Sequence, residues 1–497
     1  MSDRSRRALA LLGVAVSLGV SGDALRTWVP GRLDAALWAA VALIAATALI
    51  RTAALAAPPR AAWLGAAALL LIACLVWRDA ELLFVLNAFG LLGVVGVAAT
   101  GGITQSLDRL GAFDLFRGSV TLGIETAAGP MPTAFRDIAW EELPLTGRAR
   151  RLATVLAGLA VATPVILLFG SLFGQADPLF RQAISRLFGF DLALVAEHLA
   201  FAGFVAWVAA GALRGALWRE GRGPGLLPTL PSGGHVPAAA VLGFLGGIGT
   251  LFALFVGFQA RELFLDSAEF QALTGVTISE YARQGFFELL MVAVLTLPML
   301  LGSDWLLARR DPAETRRFHR LTAVVLVLLA LVLASAYQRM LLYRDYYGLT
   351  EQRFYALAFM TWLAVVCGWF AATVLRERRP GFVPGALVAG YAALLLLNLV
   401  NPDAVIARVN LGRAAQGAPF DAEYLASLSA DAVPSILDAI GRGGVPDSCV
   451  LEGKVRRRWA KVLAPTDRSG TWNLSLTQAT RRLATAPTPD CTGPGMP

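Results

Sequence analysis

The chain has 497 residues, 56% hydrophobic and 16% charged, with a formal net charge of +8 and a mean hydropathy of +0.61. That balance excludes an ordinary soluble domain and points to a membrane. Of the 43 basic residues only Lys454 and Lys461 are lysine, which excludes a P-loop or Schiff-base lysine from the apolar region.

Apolar runs long enough to cross a hydrocarbon core of about 30 Å recur from residue 8 to residue 400. They run from Ala8 to Val29, Asp34 to Ala54, Ala61 to Trp77, Leu82 to Thr100, Leu152 to Gly174, Leu192 to Leu213, Val236 to Gly257, Gly285 to Leu307, Leu321 to Tyr337, Phe354 to Val374 and Val383 to Val400. The runs are continuous and rich in Leu and Ala, whereas lipid-facing barrel strands alternate with polar residues. They predict an all-α, polytopic membrane helix bundle of about eleven transmembrane helices. The opening segment to Ala24 also has the makings of a signal peptide, with basic residues ahead of an apolar stretch.

Arginines in the short connections set the orientation. Arg4, Arg6 and Arg7 place the N-terminus in the cytoplasm, and alternate connections are again basic, such as Arg309 to Arg320. The connection after the seventh run is acidic, with Glu262, Asp266, Glu269 and Glu280. An odd number of spans then puts everything from Asn401 onward outside the cytoplasm. The basic residues are spread over inside connections and do not line one face among aromatics, so nucleic acid is not an expected partner.

Four regions follow: a four-span region over 1–100, a cytoplasmic or interfacial connector over 101–151, a seven-span core over 152–400 and an extracytoplasmic helical tail over 401–497. In the connector, Ile103, Leu107, Leu110, Phe113 and Phe116 recur at helical spacing. This predicts a helix lying on the inner surface or packed on the inside connections. Pro164 and Pro298 are expected to kink the fifth and eighth spans. In the tail, Asn401 and Pro402 read as helix cap and first helical residue. Helices are also expected from Asp421 and from Asp431, the latter ending at Gly441. Cys449 and Cys491 both fall in this region, where an oxidising environment favours a disulfide that spacing alone does not decide.

Chemistry gathers at "RMLLYRDYYGLTEQRFY", Arg339 to Tyr355, which holds four of the eight tyrosines. An aromatic belt and snorkelling arginines at the headgroups account for such a stretch. Other polar residues fall towards the same side. Glu197 and His198 lie in the sixth span, Glu288 lies in the eighth about two turns beyond Tyr281, and Asp177 precedes the sixth. A charge left unpaired in hydrocarbon costs about 2.5 to 3.5 kcal/mol, so these carboxylates call for partners, and Arg339 and Arg344 are the expected ones. The candidate ligand-binding set is Asp177, Glu197, His198, Tyr281, Arg283, Glu288, Arg339, Tyr343, Arg344, Tyr347 and Arg353. Such a pocket would hold an anionic group through arginine forks; internal ion pairing between helices is the competing reading. No metal-ligand spacing, serine elbow or kinase signature is present, and no cofactor or catalytic residue is expected.

Five motifs carry a resemblance: "QADPLF", "EYARQGFFELL", "QRMLLYRDYYGLTEQRFYALAF", "NPDAVIARVN" and "DAEYLASLSADAVPSIL". In this order, over roughly residues 150–440, they resemble the bacterial multi-pass domain-of-unknown-function family 4173, related to family 4153. Matching positions include Gly348, Arg353, Asn401, Asp403, Asn410 and Tyr424. The resemblance implies a bacterial cytoplasmic-membrane protein and no established activity. A regulatory or binding protein that meets an anionic lipid headgroup or an envelope protein is the first expectation. A transporter or flippase is the second. An enzyme on lipid-linked substrates, with Glu197, Glu288 or Asp177 as acid or base, is the third.

Overall fold

The computed structural model describes residues 2–28, 32–52, 61–98, 112–139, 147–149, 192–217, 237–263, 286–307, 311–378, 381–443, 445–462 and 472–486. Among these residues every regular element is helical. The helices are α1 (Asp3–Trp28), α2 (Arg32–Thr52), α3 (Ala61–Trp77), α4 (Glu81–Val97), α5 (Ala112–Ala128), α6 (Leu192–Leu217), α7 (Ala238–Leu263) and α8 (Phe286–Leu306). They continue with α9 (Pro312–Tyr347), α10 (Glu351–Thr373), α11 (Phe382–Val400), α12 (Pro402–Ala414), α13 (Ala422–Ser427), α14 (Val433–Arg442), α15 (Ser448–Val462) and α16 (Leu474–Thr485).

Eight of the described helices, α1, α2 and α6 to α11, are long and apolar enough to cross a membrane. α3 and α4 are apolar but only 17 residues each, at the short end of the spanning range. The expected span from Leu152 to Gly174 lies outside the described residues, as does Pro164, whereas Pro298 lies inside α8.

Side-chain contacts fix which helix ends lie together. At one end of the bundle, Arg26 of α1 reaches Glu197 of α6 at 3.0 Å, and His198 meets Asp23 at 2.8 Å. Towards the other end, Arg4 and Arg214 both hold the buried carboxylate of Asp137, at 2.7 and 2.9 Å, and Arg214 also pairs with Glu125. α1 and α6 are therefore antiparallel. Between these ends Gly19 lets the helices close: a Cβ there would stand 2.8 Å from Ala206 Cβ. The core of the bundle gathers Leu245, Leu300, Phe318, Leu329, Met360 and Phe370 from α7 to α10. Leu251, Phe258, Val327 and Leu396 point outward, as lipid-facing side chains do.

One packing arrangement and one boundary go beyond the sequence reading. The connector helix is described over Ala112–Ala128. It runs antiparallel beside the second half of α6, with Leu122 against Gly215, Glu125 against Gly211 and the Ala127 carbonyl accepting from Trp207 at 3.0 Å. Of the expected apolar stripe Phe116 is exposed, and Ile103, Leu107, Leu110 and the side chain of Phe113 lie outside the described residues. The ninth span does not stop at Tyr337. α9 continues unbroken for 36 residues from its Asp311 cap, about 54 Å at 1.5 Å per residue, so the arginine–tyrosine stretch is helical as far as Tyr347.

The C-terminal helices share a second apolar cluster, built on Ile406, Leu411, Leu425, Ile436, Leu451, Val455 and Trp459. Asn401 caps α12 by accepting from Ala404 N at 3.2 Å, with Pro402 next. Asp421 caps α13 by accepting from Glu423 and Tyr424. Both agree with the expected starts. α14 begins at Val433, after a 3-10 turn over Ala430–Ala432, and runs past Gly441 to stop at Gly443 with φ +77°. Asp431 is diverted from capping to a contact described below. Cys449 is disulfide-bonded, Cys74 and Cys367 are buried free thiols, and Cys491 lies outside the described residues.

Candidate functional site

The turn from α9 to α10 is where the motif residues converge. Gly348 ends α9 at φ +79°, a conformation that favours glycine. A Cβ there would meet Asn410 Oδ1 at 2.6 Å. Beneath it, the Asn410 side chain donates to the Leu349 carbonyl at 2.7 Å and accepts from the Leu349 amide at 2.8 Å. Arg413 donates to the carbonyls of Asp345 and Tyr346 at 2.8 and 3.2 Å, supplying donors at the end of α9. The Tyr424 hydroxyl accepts from the Glu351 amide at 2.8 Å, in the first turn of α10. α12 and α13 thus complete both helix ends of the turn.

Arg353 reinforces this joint. It donates to the Gly348 carbonyl at 2.5 Å, and its guanidinium stands 4.0 Å from the Tyr343 ring centroid and 5.9 Å from that of Tyr347. Tyr343 and Tyr347 themselves meet edge to face at 5.1 Å. Tyr346 and Tyr347 are exposed, and the half-buried Arg344 pairs with Asp345 at 2.7 Å.

A second lock joins the C-terminal helices to the α3–α4 loop. Asp431 accepts from the amides of Asp79 and Ala80 at 2.6 and 2.8 Å, and pairs with Arg78 at 3.4 Å. In return Asp79 accepts from the Ala430 amide at 2.9 Å and from the Asn473 side chain at 2.6 Å. Arg78 also donates to the Asn398 carbonyl at 2.7 Å, and Asn87 and Asn398 exchange amide hydrogen bonds at 3.1 and 3.0 Å. Ser475 donates to Asp431, and Arg32 at the start of α2 donates to the Arg78 carbonyl at 3.0 Å. One end of the bundle is therefore stitched to the C-terminal helices by Arg78 and Asp79 of the α3–α4 loop and by Asn410, Arg413, Tyr424, Asp431 and Asn473 from the C-terminal segment.

At its centre lies Asp403. Its Oδ2 accepts from Ser429 N at 3.0 Å and from Ser429 Oγ at 2.5 Å, while Oδ1 has no hydrogen-bond partner within the protein. Burial pushes its carboxyl up to about 6, with Glu351 and Asp431 adding to the rise against the lowering effect of the Ser429 bonds. Burial likewise pushes the Tyr424 phenol up to about 12.

The candidate residues read from the sequence divide into groups. Tyr343, Tyr347 and Arg353 come together in the joint, with Arg344 next to them. Arg339 lies half-buried two turns earlier on α9. Glu197 and His198 do not join them: their partners are Arg26 and Asp23 of α1, which corrects the expected pairing of Glu197 with Arg339 or Arg344. Asp177, Tyr281 and Arg283, and the side chain of Glu288, lie outside the described residues. Sequence reasoning missed Arg78, Asp79, Asn87, Asn398, Asp431 and Ser475. The paired buried asparagines in two apolar helices were the one available signal.

Long apolar helices and a shared polar seam at one end define an all-α integral membrane protein. A family model described as "Domain of unknown function (DUF4153)" matches residues 65–439, and the chain belongs to that family. This is the relative named beside family 4173 in the motif resemblance. The match starts far upstream of residue 150, so it takes in α3, α4 and the Arg78–Asp79 loop. No curated protein and no solved structure matches the chain.

Proposed function

We propose that the protein is a regulatory or accessory protein of the bacterial cytoplasmic membrane, with its N-terminus inside the cell. Residues from Asn401 onward form an extracytoplasmic helical module, set on a four-span region, a connector and a seven-span core. The module is a rigid platform, and the rim beside it recognises an anionic envelope ligand such as a lipid headgroup. The observation that carries this reading is the joint. It engages Arg413, Asn410 and Tyr424 in fixing α12 and α13 to the α9–α10 turn that Arg353 braces, and leaves Tyr346 and Tyr347 exposed beside Arg344. The disulfide at Cys449 supports an oxidising compartment for this end. Tyrosine rings with a guanidinium beside them suit a headgroup phosphate.

Native mass spectrometry of the purified protein with phosphatidylglycerol or phosphatidylcholine tests the rim. Preferential retention of phosphatidylglycerol that is lost in the double variant Arg344→Gln, Tyr347→Ala supports the reading. Equal retention by wild type and variant contradicts it, and co-purification of a protein in place of lipid would move the ligand class to a protein partner. A transporter or flippase is the second reading. It is favoured by the Asp23–His198 pair at the end of α1 and α6, two titratable groups half-buried within spans.

A further inference from the structure

At the centre of the seam two carboxylates share the hydrogen of one serine. Asp403 is fully buried and Asp431 is 3% exposed. Between them stands one hydroxyl: Ser429 Oγ lies 2.5 Å from Asp403 Oδ2 and 3.3 Å from Asp431 Oδ2. A serine hydroxyl has a single hydrogen, so it can serve only one of the two carboxylates. Asp431 has Arg78 as counter-charge and accepts from two backbone amides and the Ser475 hydroxyl besides. Asp403 has neither a cation within ion-pair distance among the described residues nor a partner for Oδ1.

We propose that Asp403, Ser429 and Asp431 form a one-proton switch that controls how firmly the C-terminal helices are seated on the α3–α4 loop. When Asp403 takes up a proton on Oδ2, it donates to Ser429 Oγ, and the serine turns its own hydrogen to Asp431. One added proton then frees the Ser429 hydrogen as a further donor to Asp431 and relieves the repulsion between the carboxylates. When the proton leaves, Ser429 returns to Asp403, and Asp431 loses the serine contribution next to its bonds with Asp79 and Ala80. Among the described residues no three His, Cys, Asp or Glu side chains come together as a metal site.

The surroundings keep the switch at Asp403. From α10, Glu351, Arg353 and Tyr355 face the cluster, and the buried Tyr355 hydroxyl likewise has no partner. From α13 comes Tyr424, and from the α3–α4 loop come Arg78 and Asp79. On α12 itself Arg408 donates to the Ala404 carbonyl and Arg413 to the end of α9. α11 has no charged residue, the exposed Arg442 ends α14, and Asp438 of α14 pairs with Arg482. The nearest added negative charges, Glu351 and Asp431, both favour the protonated form of Asp403.

The direction follows from linkage. The seated carboxyl, at about 6, holds its proton more tightly than the free one at 3.8. Seating is therefore strongest below 3.8, weakens as pH rises towards about 6, and stays at the weaker level above. The titration does not depend on which side of the membrane the seam faces; its meaning as an envelope acid sensor rests on the orientation proposed above.

The test uses the full chain in lipid nanodiscs. Infrared spectroscopy should show a buried carboxylic acid band that titrates near 6 and is missing from Asp403→Asn. Proteolysis within residues 401–443, normalised to a denatured control, should rise about tenfold between pH 5 and 7.5 in wild type and stay flat in Asp403→Asn. Ser429→Ala, which removes a hydrogen bond that favours the charged carboxylate, should move the band's titration and the rise in proteolysis together to higher pH, and it decides the matter alone if Asp403→Asn does not fold. A flat wild-type profile, an undiminished rise in Asp403→Asn, or an unmoved titration in Ser429→Ala overturns the proposal.

Discussion

Arg78 and Asp431 stand 353 positions apart in the chain, and their charged groups meet at 3.4 Å. Both are nearly enclosed, and the Asp431 carboxylate also holds the backbone of Asp79 and Ala80. This contact ties the end of the shortest apolar hairpin, α3–α4, to helices encoded more than 300 residues later. It makes the C-terminal helices a part of the bundle end and not a loose appendage.

Asp431→Ala is expected to cost about 3 to 5 kcal/mol, because it strands a buried guanidinium and two amides. Thermal unfolding in a single detergent should fall accordingly, with early proteolysis after Asn401. Asp438→Ala, which breaks an exposed pair with Arg482, should change little.

Asn87 and Asn398 give a second expectation. Both are fully buried and exchange two amide hydrogen bonds. Asn87→Leu alone leaves the Asn398 amide short of a partner and should cost about 1 to 2 kcal/mol. The double change to leucine should recover much of that loss, because no polar group is then left unmet. A double-mutant cycle on unfolding midpoints reads the coupling; additivity would show that the pair is not formed.

Gly348→Ala should loosen the joint by about 1 to 3 kcal/mol, since the added methyl needs both a strained φ and space held by Asn410. Gly412, whose Cβ would meet nothing within 4 Å, is the matched control. Hydrogen exchange at the amides of Leu349 and Glu351 should speed up in the first variant alone.

Raised pH offers a further check. The Tyr424 phenol is pushed up to about 12 from 10, so the folded state holds this proton more tightly than the unfolded chain. Stability supplied by Tyr424 should be complete below 10 and fade as pH climbs towards 12. Tyr424→Phe should remove that alkaline dependence while lowering stability at neutral pH.

Helix class and most span positions were legible because hydrophobic runs report burial in lipid directly. The Asn401–Pro402 and Asp421 starts were legible because capping is local chemistry. The arginine–tyrosine stretch was also visible as unusual, yet its partners were not. Arg353 uses a backbone carbonyl and two rings from its own turn, and Glu197 uses Arg26 of a helix far away in sequence. Asp431 looked like a helix cap, since its clamp on the α3–α4 loop depends on tertiary placement that no local pattern encodes.

The central claim is that α12–α16 sit on the α3–α4 loop on the extracytoplasmic side. Asp79 and Asn473 touch at 2.6 Å, so cysteines at both positions fall within reach of a short, membrane-impermeant thiol cross-linker. In sealed right-side-out vesicles, with Cys74 and Cys367 replaced by alanine, the account predicts prompt cross-linking without permeabilisation. Cross-linking only after the membrane is opened would put the seam on the other side, and none under either condition would contradict the docking itself.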